Sequence, residues 1–138
     1  MKAKYIFEIL QEISKTKKKN DKINILKTNE SWALKDVIRG SMDSTVKWIV
    51  PTGEPPYTPC DAHNHPTDLT RQNTKFQYFV EGLHKDQPKF KKERIFLQLL
   101  EGIHPSDALV VINMINKTKP KGLTRGIVQE AFPSLLQD

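Results

Sequence analysis

The chain has 138 residues, with 22 basic against 16 acidic side chains and a formal net charge of +6. That length suits one domain with a single core and is too short for an eight-repeat barrel enzyme. Hydrophobic residues at 37% and charged residues at 28% exclude full disorder while predicting some mobile polar segments.

The first element is expected over about residues 3–14, where Tyr5, Ile6, Ile9, Leu10 and Ile13 recur at helical spacing. Glu8 and Glu12 within it, and the lack of a small-residue cleavage site, make it a helix of the mature protein rather than a signal peptide. Apolar runs such as Ala108–Ile112 are too short to span a bilayer, and the single cysteine, Cys60, fits a reducing compartment. A cytoplasmic location is expected.

A basic connector, Lys15-Thr16-Lys17-Lys18-Lys19, leads to a second helix capped by Asn20 or Asp21 and carrying Ile23 and Leu26. Asn29 or Ser31 starts a third, with Trp32, Leu34, Val37 and Ile38 inward and Gly40 placed to end it. Val46–Val50 alternates and is expected to be extended until Pro51 stops it. The Pro-rich loop Pro51–Pro66 cannot be helical, and Tyr57 is expected to dock it on the core.

Leu69, Phe76, Phe79 and Val80 suggest a helix over about Thr67–Gly82. Pro88 opens the next, whose apolar face is Phe90, Ile95, Phe96, Leu99, Leu100 and Ile103, with Gly102 weakening its end. His104-Pro105-Ser106-Asp107 opens another, with Leu109, Val110, Ile112 and Ile115 inward. After the basic turn Asn116–Gly122, Thr124 starts a last helix with Ile127 and Val128, and Phe132, Leu135 and Leu136 complete the core. The expected fold is mainly α, a single compact domain over residues 1–138, with about six helices and a long Pro-rich middle loop at 51–66.

Asp61-Ala62-His63-Asn64-His65 carries the D-x-H-x-H spacing of many metal-dependent hydrolases. Such histidines project from the end of a buried strand, whereas here Pro55, Pro56, Tyr57, Thr58 and Pro59 precede them. Cys60, His63, His65 and Asp68 have chemistry that zinc accepts, yet no second ligand pair accompanies them, so a polar loop is the expected reading. Cys60 lacks the cationic pocket of a working thiolate; Ser106 and Asp107 read as the polar start of a helix, and the other carboxylates as helix-surface charge. No catalytic residue, metal or cofactor is assigned.

The remaining signal is lysine, 18 residues against four arginines. Clusters lie at Lys15, Lys17, Lys18, Lys19 and Lys22; at Lys85, Lys89, Lys91, Lys92 and Arg94; and at Lys117, Lys119, Lys121 and Arg125. Two of them brought together make a stripe that follows a phosphate backbone. Lysine is a point charge without the guanidinium fork, which favours backbone contact over base readout. The competing reading is a solvated surface.

Trp32–Gly40, Pro51–Tyr57, Lys92–Phe96 with Leu99–Ala108, and Gly122–Thr124 with Glu130–Pro133 together resemble an uncharacterised family of small proteins from T4-like tailed phages, cyanophages among them. The resemblance implies a phage protein acting in the infected bacterial cytoplasm, and it carries no catalytic residue. The expected function is a non-enzymatic accessory protein that contacts nucleic acid, or the machinery working on it, through the lysine clusters. The alternatives are an adaptor that diverts a host protein, marked by exposed apolar residues on the Pro51–Pro66 loop, and a small virion component. A metal-dependent hydrolase is the remotest alternative.

Overall fold

In the computed structural model, residues 4–50 and 55–137 are described. The expected strand stop at Pro51, loop residues 51–54 and the first residue of the helix expected over 3–14 lie outside them. Helices α1 (Ile6–Lys15), α2 (Lys19–Thr28) and α3 (Trp32–Met42) precede the long loop. After it come α4 (Leu69–Gln72), a 3₁₀ helix (Asn73–Phe79), α5 (Lys89–Gly102), α6 (Pro105–Ile115) and α7 (Arg125–Ala131). The chain is mainly α and forms one domain. Helix α6 packs against α1, α3 and α5, while α3 also meets α4 and the 3₁₀ helix, and α2 lies along α7.

The local signals explain most helix ends. Glu8 reaches back to the Tyr5 amide at 2.9 Å, and Ile6, Ile9 and Ile13 bury the stripe of α1. Ser31 Oγ accepts the Leu34 amide at 3.1 Å and starts α3; Thr124 Oγ1 accepts the Ile127 amide at 3.3 Å and starts α7. Helix α2 differs from expectation. It begins at Lys19, one residue before the expected caps, and Asp21 instead lies in its first turn, near the positive end of the helix dipole.

The segment expected as one helix over Thr67–Gly82 splits. Asp68 caps only the four residues of α4, accepting the Arg71 amide at 3.1 Å. Asn73, Phe76 and Phe79 are all buried at a spacing of three, which aligns on one face of a 3₁₀ helix and drifts around an α-helix. The extended segment expected at Val46–Val50 forms a single antiparallel bridge, Trp48 to Val80. Its flanking hydrogen bonds run from Ile49 N–H to Phe79 O at 2.8 Å and from Glu81 N–H to Lys47 O at 2.7 Å.

Gly40 does not end α3, which continues to Met42. It is a point of close approach. A Cβ there would lie 2.5 Å from an indole carbon of Trp48 and 2.7 Å from Met114 Sδ, and the Trp48 Nε1–H donates to the Gly40 carbonyl at 3.0 Å. Three residues expected inward are exposed: Trp32 (74%), Phe90 (69%) and Leu109 (52%). Trp32 and Phe90 stand in the first turns of α3 and α5. On α6 the inward positions go to Asp107, Ala108, Val111, Ile112, Met114 and Ile115, leaving Leu109 on the outer face. Tyr57 packs half-buried against the core, as expected.

Gly40→Ala should therefore lower stability by about 1–3 kcal/mol, the usual cost of overpacking. Urea unfolding of the purified protein measures it; an unchanged midpoint would show that Trp48 and Met114 move aside freely.

Candidate nucleic-acid interface

The D-x-H-x-H stretch folds as a tight turn docked on the first helix. Asp61 Oδ1 accepts the His63 amide at 2.7 Å, and Asp61 bridges to Asn64. Cys60 Sγ–H points to the Asn64 carbonyl at 3.5 Å, while His63 is exposed. The two histidines diverge in role. His65 Nδ1 lies 2.7 Å from the Thr67 carbonyl and so carries the proton, leaving Nε2 to accept from Tyr5 Oη–H at 3.0 Å. Tyr5, Phe7, His65 and His104 form a ring cluster with centroids 4.6–5.8 Å apart. Among the described residues no group of three or more His, Cys, Asp or Glu side chains is placed to hold a metal ion.

Beneath this cluster lies Asp107, which sequence reasoning placed at a helix terminus but treated as surface charge. It is 1% exposed, and its Oδ1 accepts the Phe7 amide at 2.9 Å, joining the start of α1 to the start of α6. Burial pushes its carboxyl from 3.8 up to about 6; the Phe7 amide and His65 oppose the shift, while Glu8 and Asp68 add to it. His104 Nδ1 accepts the Ser106 amide at 3.0 Å, and burial, with His65 and His63 nearby, lowers its affinity for a proton against the pull of Glu8. The sequence signal for Asp107 is its position two residues after a helix-opening Pro105; its partner, a backbone amide a hundred residues away, has none.

The lysine clusters divide. The turn after α6 presses on the end of α1: a Cβ at Gly122 would lie 3.0 Å from Ser14 Cα, and Gly122 takes φ +87°. Lys22 Nζ donates to the Gly122 carbonyl at 2.7 Å, and Lys19 pairs with Glu130 at 2.7 Å. The connector carrying Lys15, Lys17, Lys18 and Lys19 and the turn carrying Lys117, Lys119 and Lys121 thus share one corner. Lys15, Lys17, Lys18, Lys119 and Lys121 are exposed there.

Others are engaged structurally. Lys117 adopts φ +57° and its Nζ donates to the Asp43 carbonyl at 2.7 Å, while Arg125 reaches the Met42 carbonyl at 3.4 Å. Both cations thereby sit at the negative end of α3. In the second cluster Lys89, Lys91 and Arg94 are exposed around the start of α5, but Lys92 is 5% exposed and its Nζ is turned to the Leu83 carbonyl at 3.2 Å. Lys92 takes an inward position of α5 where Phe90 was expected, so its charge is not presented to a partner.

A groove of about 400 Å³ adjoins the basic corner, lined by Phe7, Leu10, Leu109, Val110, Lys119 and Lys121 among others. A second, of about 600 Å³, lies between α3 and the 3₁₀ helix, with Trp32, Trp48 and Leu83 beside Asp36, Arg39 and Asn73. Asn73 Nδ2–H donates to Asp36 at 2.8 Å; burial raises the Asp36 carboxyl, with the Asn73 bond and Arg39 opposing. Among the described residues no helix is long and apolar enough to cross a membrane.

A family model for a family of unknown function, DUF6433, matches residues 9–121. The chain belongs to the DUF6433 family. A search of curated proteins returned no match. The family is uncharacterised, as expected, and brings no catalytic residue. In this DUF6433 member the matched span includes Lys15–Lys22 and Lys117–Lys121, and stops short of Arg125 and α7.

The Asp107 burial gives a pH prediction. Between pH 3.8 and about 6 the folded chain binds more protons at this site than the unfolded one, so its contribution to stability is present below 3.8 and lost as pH rises through about 6. At roughly 1.4 kcal/mol per pH unit, the loss is at most about 3 kcal/mol. Asp107→Asn, whose carbonyl oxygen can still accept the Phe7 amide, should gain on the native protein by up to that amount between pH 4 and pH 7.5 in urea unfolding. An equal difference at both pH values would mean that Asp107 titrates in the folded protein as it does in the unfolded chain.

Proposed function

We propose that this chain is a non-enzymatic accessory protein that binds the phosphate backbone of nucleic acid at the corner where the α1–α2 connector meets the 117–122 turn. The observation that carries this reading is the packing of Gly122 on Ser14, which converts two separate lysine runs into one exposed band. Neutralising several phosphates with clustered lysines releases counterions, and that release drives binding without base recognition. The resemblance to small proteins of T4-like phages extends the proposal to a phage factor acting in the cytoplasm of an infected bacterium.

The adaptor reading receives less support. Within residues 55–66 the aromatic Tyr57 is turned to the core, and the Thr58 amide is held by Glu101 Oε2 at 2.8 Å. The exposed large apolar residues, Trp32, Leu83, Phe90 and Leu109, lie elsewhere.

Filter binding of single- and double-stranded DNA and RNA from low to physiological salt tests the proposal. Affinity should fall steeply with salt. Lys17→Ala/Lys18→Ala and Lys119→Ala/Lys121→Ala should each shrink the logarithmic salt slope by about two, near one per lost phosphate contact. Lys92→Ala should lower stability and leave the slope unchanged. Absence of retention at low salt would remove the nucleic-acid reading and leave the adaptor.

A further inference from the structure

We infer that Trp32 is a stacking platform for an unpaired base, which makes single-stranded nucleic acid the preferred partner of the basic band. The inference rests on the phosphate-binding reading above.

Trp32 is the first residue of α3 and 74% exposed, the most exposed of the large hydrophobic side chains described. One cation, Lys35, sits over the indole and also pairs with Glu30 at 3.3 Å. Lys35 Nζ lies 4.9 Å from the Trp32 ring centroid and 5.3 Å from that of Phe132, a cation held between two aromatic faces. Trp32 also borders two grooves: that between α3 and the 3₁₀ helix, and a smaller one lined by Lys35, Arg39 and Phe132.

Helix α3 links Trp32 to the corner already described, through Arg39 and Lys117, which are both fastened to Asp43. Arg39 Nε lies 3.5 Å from Asp43 Oδ2, and the Asp43 carbonyl receives Lys117, at the base of the turn bearing Lys119 and Lys121. Helix α3 covers about 15 Å between Trp32 and Met42, the length along it that a strand engaging both platform and band would have to span. An aromatic face for the base and a row of cations for the backbone are the two parts of sequence-tolerant single-strand binding. A duplex hides its base faces in the stack, so the platform adds affinity only for a single strand.

Oligothymidylate serves as the probe, with a duplex of mixed sequence as the comparison. Titrating the native protein at low salt should quench tryptophan fluorescence, and Trp32→Phe should abolish most of the quenching. The second tryptophan, Trp48, lines the same groove, so the quenching left in Trp32→Phe measures its share. Trp32→Ala should weaken single-strand binding about tenfold, leave duplex binding within twofold and leave the salt slope unchanged, with a native circular dichroism spectrum. Equal single-strand affinity of the native protein and Trp32→Ala would overturn the platform while the phosphate band stands. Equal losses for single strand and duplex would overturn it too, since stacking cannot act on both. No binding of either nucleic acid would remove both readings and direct attention to a protein partner at Trp32.

Discussion

A carboxylate with no exposed surface, Asp43, ties together the parts of this molecule that have the least core of their own. Its Oδ1 accepts the Thr45 amide and hydroxyl at 2.8 and 2.6 Å, its Oδ2 accepts the Gln137 amide at 2.8 Å and faces Arg39, and its backbone carbonyl takes the Lys117 ammonium. A buried charge is costly unless its oxygens are hydrogen-bonded and a cation is near. The carboxylate is satisfied by Thr45 just past the end of α3, by Arg39 and by Gln137, while the Asp43 backbone carbonyl separately takes Lys117 at the left-handed turn that ends α6. The turn bearing Lys119 and Lys121 is tied to the end of α3 through the Asp43 backbone carbonyl and to α1 through Gly122. The proposed interface rests on a corner held by polar bonds rather than on a helix face held by the core.

Lysines serve two different purposes in this arrangement. Lys22 and Lys117 donate to backbone carbonyls, and Lys92 does the same from an almost fully buried position. These three fasten turns and helix ends. The exposed group at 15–18 and 119–121 has no such visible structural task, and its repulsion across one corner works against the compact state. A polyanion would relieve that repulsion. Charge counting alone merges the two kinds of lysine, so the net charge of +6 overstates what is presented outward as a single patch.

How far the sequence was legible follows the same division between local and distant partners. Ser31, Thr124 and Pro88 mark helix starts because a cap depends on residues three or four positions away. The prolines before Cys60 already argued against a strand-borne metal pair, and the stretch forms an Asx-type turn. Gly40 was misread as a terminator because the Trp48 indole that requires its missing side chain arrives from beyond the helix. Asp107 and Lys92 fell on inward positions because the Phe7 amide and the Leu83 carbonyl supply partners, which periodicity treats as reserved for apolar residues. The lysine runs were visible as runs. That the first and third meet depends on packing between residues about a hundred positions apart.

Residues 15–22 and 117–125 are proposed to act as one surface. Amide shift mapping by NMR, with labelled protein titrated at low salt by a short oligothymidylate, tests it most directly. Amides of both runs should shift together and saturate at the same concentration of oligonucleotide. Shifts confined to one run, or centred on residues 85–94 with the corner silent, would contradict it.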